Sequence, residues 1–282
     1  MKRLALVVLT GAAALTALVV IQGCGVLGGP PTGVAVSSGP DESDSTVVIS
    51  WTVPAEGGPD KYLVSFRAVT DSGYAVLGET TGTSYTHNPH GMTGQYKVTA
   101  LFGQDTYEGA DKPTTIPIHG DEVTLYEINA DSSRCGYGWT RDSGKAGVFA
   151  MTDSANHASV DFYVSDRQAG RGNPLCVVSP NKAKTIDSGA VGIVPSADWR
   201  ANGFSDPLLD EQGPLPSYDS LPPNYFIFTQ ITSEPCYIGC YTAGEAEKHY
   251  ALIKVNSADP ASGQAKIETW YQLVTGLRLI RH

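Results

Sequence analysis

The side chains of this chain whose type and spacing could carry chemistry are, first of all, its five cysteines. Cys24 directly follows an apolar N-terminal segment, and Cys135, Cys176, Cys236 and Cys240 lie far downstream. The downstream four lack the paired C-x-x-C spacing of a zinc site. An even number of cysteines is typical of disulfides in an exported chain, and the N-terminal segment marks this one as exported. We therefore predict two disulfides and no metal site.

The short interval between Cys236 and Cys240 favours a local bond. In an extended strand, residues four apart lie about 13 Å from one another, which is beyond disulfide reach. Pro235 and Gly239 are typical of a tight turn, which would bring the two α-carbons within about 7 Å. Of the three connectivities that four cysteines allow, we predict Cys236–Cys240 and, by elimination, Cys135–Cys176.

Aromatic residues supply the first candidate ligand face. On a strand, Cys135, Tyr137 and Trp139 project to one side, and Gly136 and Gly138 to the other. The favoured interpretation is an aromatic core packed against a disulfide. The alternative is a ligand face formed by Tyr137 and Trp139, because glycine in a strand often marks the close approach of a backbone or a ligand.

Trp199 is the second candidate for a ligand face. It lies in a polar, loop-like segment just before a long proline-rich loop at 203–224. Its ring either pins that loop to a sheet or offers its face to a sugar. Pinning is favoured, because a loop of this length needs an apolar anchor.

Catalytic signatures are absent from the sequence. It has no G-x-S-x-G, H-E-x-x-H or phosphate-loop motif. His87 and His90 lie close together, but a metal site would need further ligands. We therefore predict no catalytic residue, no cofactor and no enzymatic activity. An envelope hydrolase acting on glycan or peptide stays open as an alternative, since sites can be assembled from non-contiguous residues.

The first 23 residues read as an export signal. Lys2 and Arg3 precede an uncharged apolar stretch at 4–20, which is followed by Ile21-Gln22-Gly23-Cys24. An apolar stretch this short, closed by small residues, is typical of a cleaved signal peptide rather than a membrane span.

Ile21, Gly23 and Cys24 resemble the lipobox of bacterial lipoproteins. The resemblance implies cleavage before Cys24 and acylation of its sulfur and amino group with fatty acids such as palmitate. Three acyl chains suffice to hold a protein on a membrane. The residue after Cys24 is Gly25 and not the aspartate that resembles an inner-membrane retention signal. The outer membrane is therefore the favoured location if the host has two membranes.

The amino-acid composition and the net charge exclude several classes of protein. Hydrophobic residues make up 41% and charged residues 17%, with 31 glycines and 18 prolines. These values exclude a coiled coil, a disordered acidic chain and a helical membrane bundle, and they suit short strands joined by tight turns. The net charge of −10 argues against a nucleic-acid partner.

Residues 30–119 resemble a fibronectin type III domain. The resemblance depends on Trp51 with Pro54 after it, on the alternating segment 62–66, and on the segment 96–100 that begins with Tyr96. It implies a β-sandwich in which Trp51 fills the centre and the Tyr96 hydroxyl bonds back to the preceding loop.

Residues 120–282 resemble no family but are rich in strand patterns. Predicted strands lie at 123–128, 136–141, 146–151, 159–165, 175–179, 190–194, 225–231, 249–256 and 266–273. Thr242 to Glu245 has the spacing of a capping box, which predicts one helical turn. The predicted fold class is therefore all-β, with a signal peptide (1–23), a tether (24–29), a fibronectin type III-like sandwich (30–119) and a larger β-rich domain (120–282).

These expectations combine into one functional hypothesis. The chain is predicted to be a lipid-anchored cell-envelope or surface protein with a structural or binding role and no catalysis. Its partners would be the membrane, through the lipid anchor, and a glycan or protein at the cell surface. A carbohydrate-binding or adhesin module is the alternative within the binding class.

Overall fold

The structure, a computed structural model, describes residues 28–39, 46–190, 192, 199–218 and 223–282. Over these residues the chain is all-β, as its sequence predicts. A fibronectin type III-like β-sandwich is followed by a larger β-rich domain.

Some predictions concern other parts of the chain. The signal peptide, Cys24 and most of the tether and of the predicted strand 190–194 lie outside the described residues.

Seven strands are described in the first domain. They are β1 (Thr32–Ser38), β2 (Val47–Thr52), β3 (Lys61–Ala68), β4 (Ala75–Thr80), β5 (Ser84–His87), β6 (Gly94–Phe102) and β7 (Asp105–Glu108). One antiparallel sheet has the order β1-β2-β5 and the other has the order β4-β3-β6-β7. Every second residue of β6 is buried, because alternate side chains of a strand point to the same face.

The core of this sandwich is aromatic at its centre. Trp51 is buried and packs edge-on against Tyr62, with ring centroids 5.1 Å apart. This confirms the predicted position of Trp51. The Tyr96 hydroxyl lies 3.0 Å from Nδ1 of His87, at the end of β5, so that His87 is its partner.

The described part of the second domain contains ten strands. They are β8 (Ile118–Tyr126), β9 (Gly136–Trp139), β10 (Ala146–Phe149), β11 (Phe162–Ser165), β12 (Cys176–Val178), β13 (Gly203–Phe204), β14 (Phe228–Gln230), β15 (Cys236–Tyr241), β16 (Tyr250–Asp259) and β17 (Gln264–Tyr271). One sheet has the order β10-β9-β11-β12-β14 and the other has the order β13-β15-β16-β17-β8. Their inner faces share one hydrophobic core.

Short helices and loops cover the outer faces of this sandwich. Among the described residues, the helical elements are two 3-10 turns, Ser154–Asn156 and Pro180–Lys182, and one α-helical turn, α1 (Ala183–Ile186). Thr242 to Glu245 forms a turn and not the predicted helix. None of the described helices has the length and apolar character that crossing a membrane would require.

The two domains also contact each other through apolar side chains and a hydrogen bond. β8 begins at Ile118, so the predicted boundary after residue 119 lies inside this strand. The side chains of Val274, Leu277 and Leu279, near the end of the chain, belong to the core of the first sandwich. Gln272 also donates a hydrogen bond to the carbonyl oxygen of Thr115 at 2.8 Å. The C-terminal segment therefore packs back on the first domain.

Candidate functional site

The aromatic residues predicted as a ligand face are not on the surface. Tyr137 and Trp139 are 1% and 2% exposed and lie in the core between the two sheets of the second domain. The hydroxyl groups of Tyr137 and Thr269 lie 2.8 Å apart, and Trp139 donates to Thr269 Oγ1 at 3.2 Å. Their polar atoms are thus satisfied inside the protein, and the ligand-face hypothesis for both residues is wrong.

Trp199 is buried as well, with 4% of its surface exposed. It packs in the cluster on the outer face of the β9–β12 sheet, together with Met151, Val160 and Tyr163. Trp199 therefore anchors the segment just before the proline-rich loop, whose own Leu208 and Leu215 pack in a separate cluster, and it offers no ring face to a sugar.

The four downstream cysteines are buried free thiols, which corrects the disulfide prediction. Cys236 and Cys240 lie in one continuous strand, β15, that pairs with β16 over its whole length. Both side chains point into the same core. Because the segment is extended and not a tight turn, the two α-carbons are about 13 Å apart and no bond can form.

Cys135 and Cys176 also remain unbonded, because a strand separates them. Val164 of β11 donates to the carbonyl oxygen of Cys135 at 3.0 Å, and Ser165 of β11 pairs with Cys176 on its other side. Two strand spacings place the α-carbons on the order of 9–10 Å apart. Burial raises the pKa of Cys135 to about 12 and that of Cys176 to about 11, so both thiols stay protonated at neutral pH.

A concave surface of the second domain lies beside β13 and β14, and we call it the aromatic cleft. It has a volume of about 730 Å³, within the range typical of ligand sites. Tyr218, Phe226 and Ile227 line it and are 40%, 41% and 46% exposed. The cleft thus combines a ligand-sized volume with exposed apolar side chains, which makes it the candidate binding site of this domain.

Other tyrosines support the aromatic wall of the cleft. The ring of Tyr218 stacks on Tyr241, with centroids 4.2 Å apart and an angle of 18° between the planes. Tyr250 contacts Tyr241 from another side, with centroids 4.8 Å apart. Tyr225 donates its hydroxyl proton to the carbonyl oxygen of Pro216. This stacking holds the exposed ring of Tyr218 in a defined orientation.

Four charged side chains next to the cleft form what we call the ion cluster: Arg141, Asp161, Arg200 and Glu245. Asp161 is fully buried and accepts from Arg141 at 2.6 Å and from Arg200 at 2.8 Å. Arg200 also lies 3.2 Å from Glu245. Burial raises the pKa of Glu245, but hydrogen bonds from Arg141 and the two positive charges outweigh burial and leave it lowered.

The ion cluster holds two segments of the cleft wall together. Arg200 directly precedes the lining residues 201–203, and Glu245 follows the lining residue Ala243. Between them, the Gly244 amide donates to the carbonyl oxygen of Ala201 at 2.7 Å. Paired and hydrogen-bonded charges of this kind fix the relative position of the segments that carry them.

Asn202 connects the ion cluster to the cleft wall. Its Nδ2 donates to the carbonyl oxygen of Asp161 at 2.9 Å and to Oδ1 of Asp161 at 2.8 Å. Because both of these groups are acceptors, the NH₂ end of the Asn202 amide faces Asp161 and its oxygen points away. Its Oδ1 has no hydrogen-bond partner among the described residues.

A separate group of buried carboxyls has the donor set of a cation site. Glu127, Asp166 and Asp187 each place one oxygen within 4.8 Å of the others. The protein already uses these groups: Tyr163 and Ser165 donate to Asp187, and backbone amides donate to Glu127. Burial raises the pKa of Glu127 and of Asp187, which favours the protonated form of these two carboxyls.

Comparison with known proteins yields similarity of fold only. No protein-family profile and no curated protein matches the chain. A titin fragment is 27% identical over 30% of this chain and 30% of that one, with a TM-score of 0.27. A fibronectin type III domain of human collagen XX is 25% identical over 32% of this chain and 92% of that one, with a TM-score of 0.26.

A third similar structure spans more of the chain. A DUF4466 family protein from Parabacteroides merdae is 12% identical over 80% of this chain and 91% of that one, with a TM-score of 0.38. The chain thus spans about a third of the titin fragment and most of the DUF4466 protein.

The sequence did not reveal the aromatic cleft, because the residues that line it have the pattern of a buried strand. The run Tyr225 to Phe228 is continuously aromatic or aliphatic, which is typical of a buried strand. In the structure β14 starts only at Phe228, and Phe226 and Ile227 stay exposed. The prolines just before the run were the available signal that the strand starts late.

Proposed function

We propose that this protein is a lipid-anchored protein of the bacterial cell envelope that binds a ligand in the aromatic cleft without transforming it. The observation that carries the proposal is the cleft itself, a space of about 730 Å³ at which Tyr218, Phe226 and Ile227 are exposed together. Burial of those side chains against a ligand would remove apolar surface from water.

The position of the cleft fits an anchored binding protein. The lipobox-like segment 21–24 would attach the chain to the membrane at its N-terminus, before the first sandwich. The cleft belongs to the second domain, so the first domain would act as a spacer. The contact of Val274, Leu277 and Leu279 with the core of the first domain would make this spacer rigid.

The binding function can be tested on three arrays, of saccharides, of peptides and of acyl lipids. The purified full-length chain, kept in a detergent without a sugar headgroup, should bind probes of one class. Phe226→Ala should lose that binding without loss of thermal stability, because its side chain is partly exposed. Val76→Ala is the matched control, since Val76 is an apolar residue exposed on β4 of the first domain.

Two outcomes would contradict the binding function. The first is a lack of binding to any of the three arrays. The second is binding that Phe226→Ala and Val76→Ala affect equally, because the cleft would then have no special role. Chemical conversion of a bound probe would contradict the non-catalytic part of the proposal.

Lipid anchoring has a separate test. Cells fed an alkyne-labelled fatty acid should label the wild-type protein, and Cys24→Ala should abolish labelling and release the chain from membranes. Retention of the Cys24→Ala protein in the membrane fraction would contradict the anchor.

A further inference from the structure

We propose that the ligand of the aromatic cleft is a saccharide chain. The inference rests on the proposed binding function and names the chemical class that the cleft selects. It follows from which side chains line the cleft, from how their charges balance and from which backbone groups are already paired.

The apolar part of the lining suits the faces of sugar rings. Tyr218 and Phe226 expose about two fifths of their surface, and the Tyr218 ring is held by its stack on Tyr241. Sugar rings carry C–H groups on their faces, and such groups pack on the electron-rich face of an aromatic ring. Ile227 adds an exposed aliphatic contact beside them.

The polar part of the lining suits hydroxyl groups. Asn181 and Gln230 offer amide donors and acceptors, and the side chains of Lys182 and Asp206 lie in the same wall. A sugar hydroxyl both donates and accepts, so it can bond with each of these groups. One positive and one negative side chain leave the lining neutral, which favours a neutral ligand over a nucleotide or another anion.

An extended peptide would bind by adding to a free strand edge at the cleft. At the cleft, Phe204 and Phe226 already exchange two backbone hydrogen bonds, at 2.8 and 2.7 Å. The carbonyl oxygen of Ile227 accepts from Ser179, and that of Ser205 accepts from Thr229 Oγ1. The wall at residues 204 and 226 therefore offers a peptide no strand edge. β14 is the last strand of its sheet, and the peptide probes test that edge.

An acyl chain fits less well for a different reason. It would press against Lys182, Asp206 and the side-chain amides of the lining without offering them a hydrogen bond. Removing polar groups from water without a partner is unfavourable, and a charged group is worse. A ligand with hydroxyl groups at its edges and apolar faces avoids this cost.

The experiment compares soluble oligosaccharides of graded length, drawn from gluco-, galacto-, manno- and N-acetylglucosamine series, by calorimetry with the full-length protein in the same detergent. At least one series should bind, with affinity rising with length until the cleft is filled. Phe226→Ala should weaken that binding about tenfold or more, in line with the loss of one aromatic contact. Phe226→Trp should retain binding, because it keeps a stacking face, and Val76→Ala should leave it unchanged.

The remaining results separate this inference from the proposed function. Absence of binding to every saccharide, together with cleft-dependent binding of a peptide or an acyl lipid, would overturn the saccharide assignment and leave the binding function standing. Saccharide binding that survives Phe226→Ala would also overturn it. Failure of all three classes of probe would remove both proposals.

Discussion

The side-chain amide of Asn202 is tied to Asp161 by two hydrogen bonds, at 2.9 Å to its carbonyl oxygen and 2.8 Å to its carboxylate. Asn202 lies in the wall of the aromatic cleft, and Asp161 is the fully buried centre of the ion cluster. The pair therefore links the shape of a surface cleft to a charge in the interior.

Asp161→Ala is expected to destabilise the protein by about 3–5 kcal/mol. The substitution leaves two largely buried arginines, Arg141 and Arg200, facing Glu245 alone, so one buried positive charge loses its compensation, which is costly. Chemical denaturation measures the effect. Glu79→Ala is the control, since its pair with Lys61 is exposed and should contribute less than about 1 kcal/mol. Equal losses in the two variants would contradict a structural role for the cluster.

The buried carboxyls of Glu127 and Asp187 should make their greatest contribution to stability at acid pH. Burial raises the pKa of Glu127 above 4.5 and that of Asp187 above 3.8 in the folded protein. The folded state then binds more protons than the unfolded state, so this contribution is present below pH 4 and is lost as pH rises through the raised pKa values.

The measurement is the free energy of unfolding between pH 4 and 8 for the wild type and for Glu127→Gln, which carries no titrating carboxyl at this position. The stability of the wild type relative to the variant should increase as pH falls. A difference that does not change with pH, or that changes in the opposite direction, would show that Glu127 does not titrate in this way.

His87 should remain neutral in the folded protein until the pH is close to 4. Burial lowers the pKa of its imidazole to about 4, and the charge of nearby His90 acts in the same direction. Because the folded pKa is depressed, this contribution to stability is present above pH 6.5 and is lost as pH falls towards 4. NMR titration of the His87 ring should give a midpoint near 4, and His90→Ala should raise it. A midpoint near 6.5 in the folded protein would contradict the burial of this group.

Gly138→Ala should destabilise the second domain by about 1–3 kcal/mol or more. A β-carbon at residue 138 would collide with the backbone carbonyl oxygen of Ser159, which cannot move as a side chain would. Gly73→Ala is the matched control, because a β-carbon there meets no atom within 4 Å. Similar melting temperatures for the two variants would refute the close approach.

The candidate ligand residues show where sequence reasoning reaches its limit. The alternation around Tyr137 and Trp139 predicted correctly that both rings project to one face of a strand, since this depends only on the local backbone. Whether that face meets solvent or another sheet depends on β15, β16 and β17, which lie more than 90 residues further along the chain. Contact between strands so far apart in the sequence leaves no pattern in the residues around Tyr137 and Trp139.

The sequence by itself determined the all-β class and most strand positions, because a period of two residues follows from the geometry of an extended backbone. The tertiary structure decided the state of the cysteines and the position of the cleft. Pro235 and Gly239 favour a turn locally, but β16 offers hydrogen-bonding partners to all of residues 236–241, and the paired strand is the result. The cleft likewise exists only because folding brings residues near 181, 202 and 226 together, and contacts at such separations are set by packing rather than by local pattern.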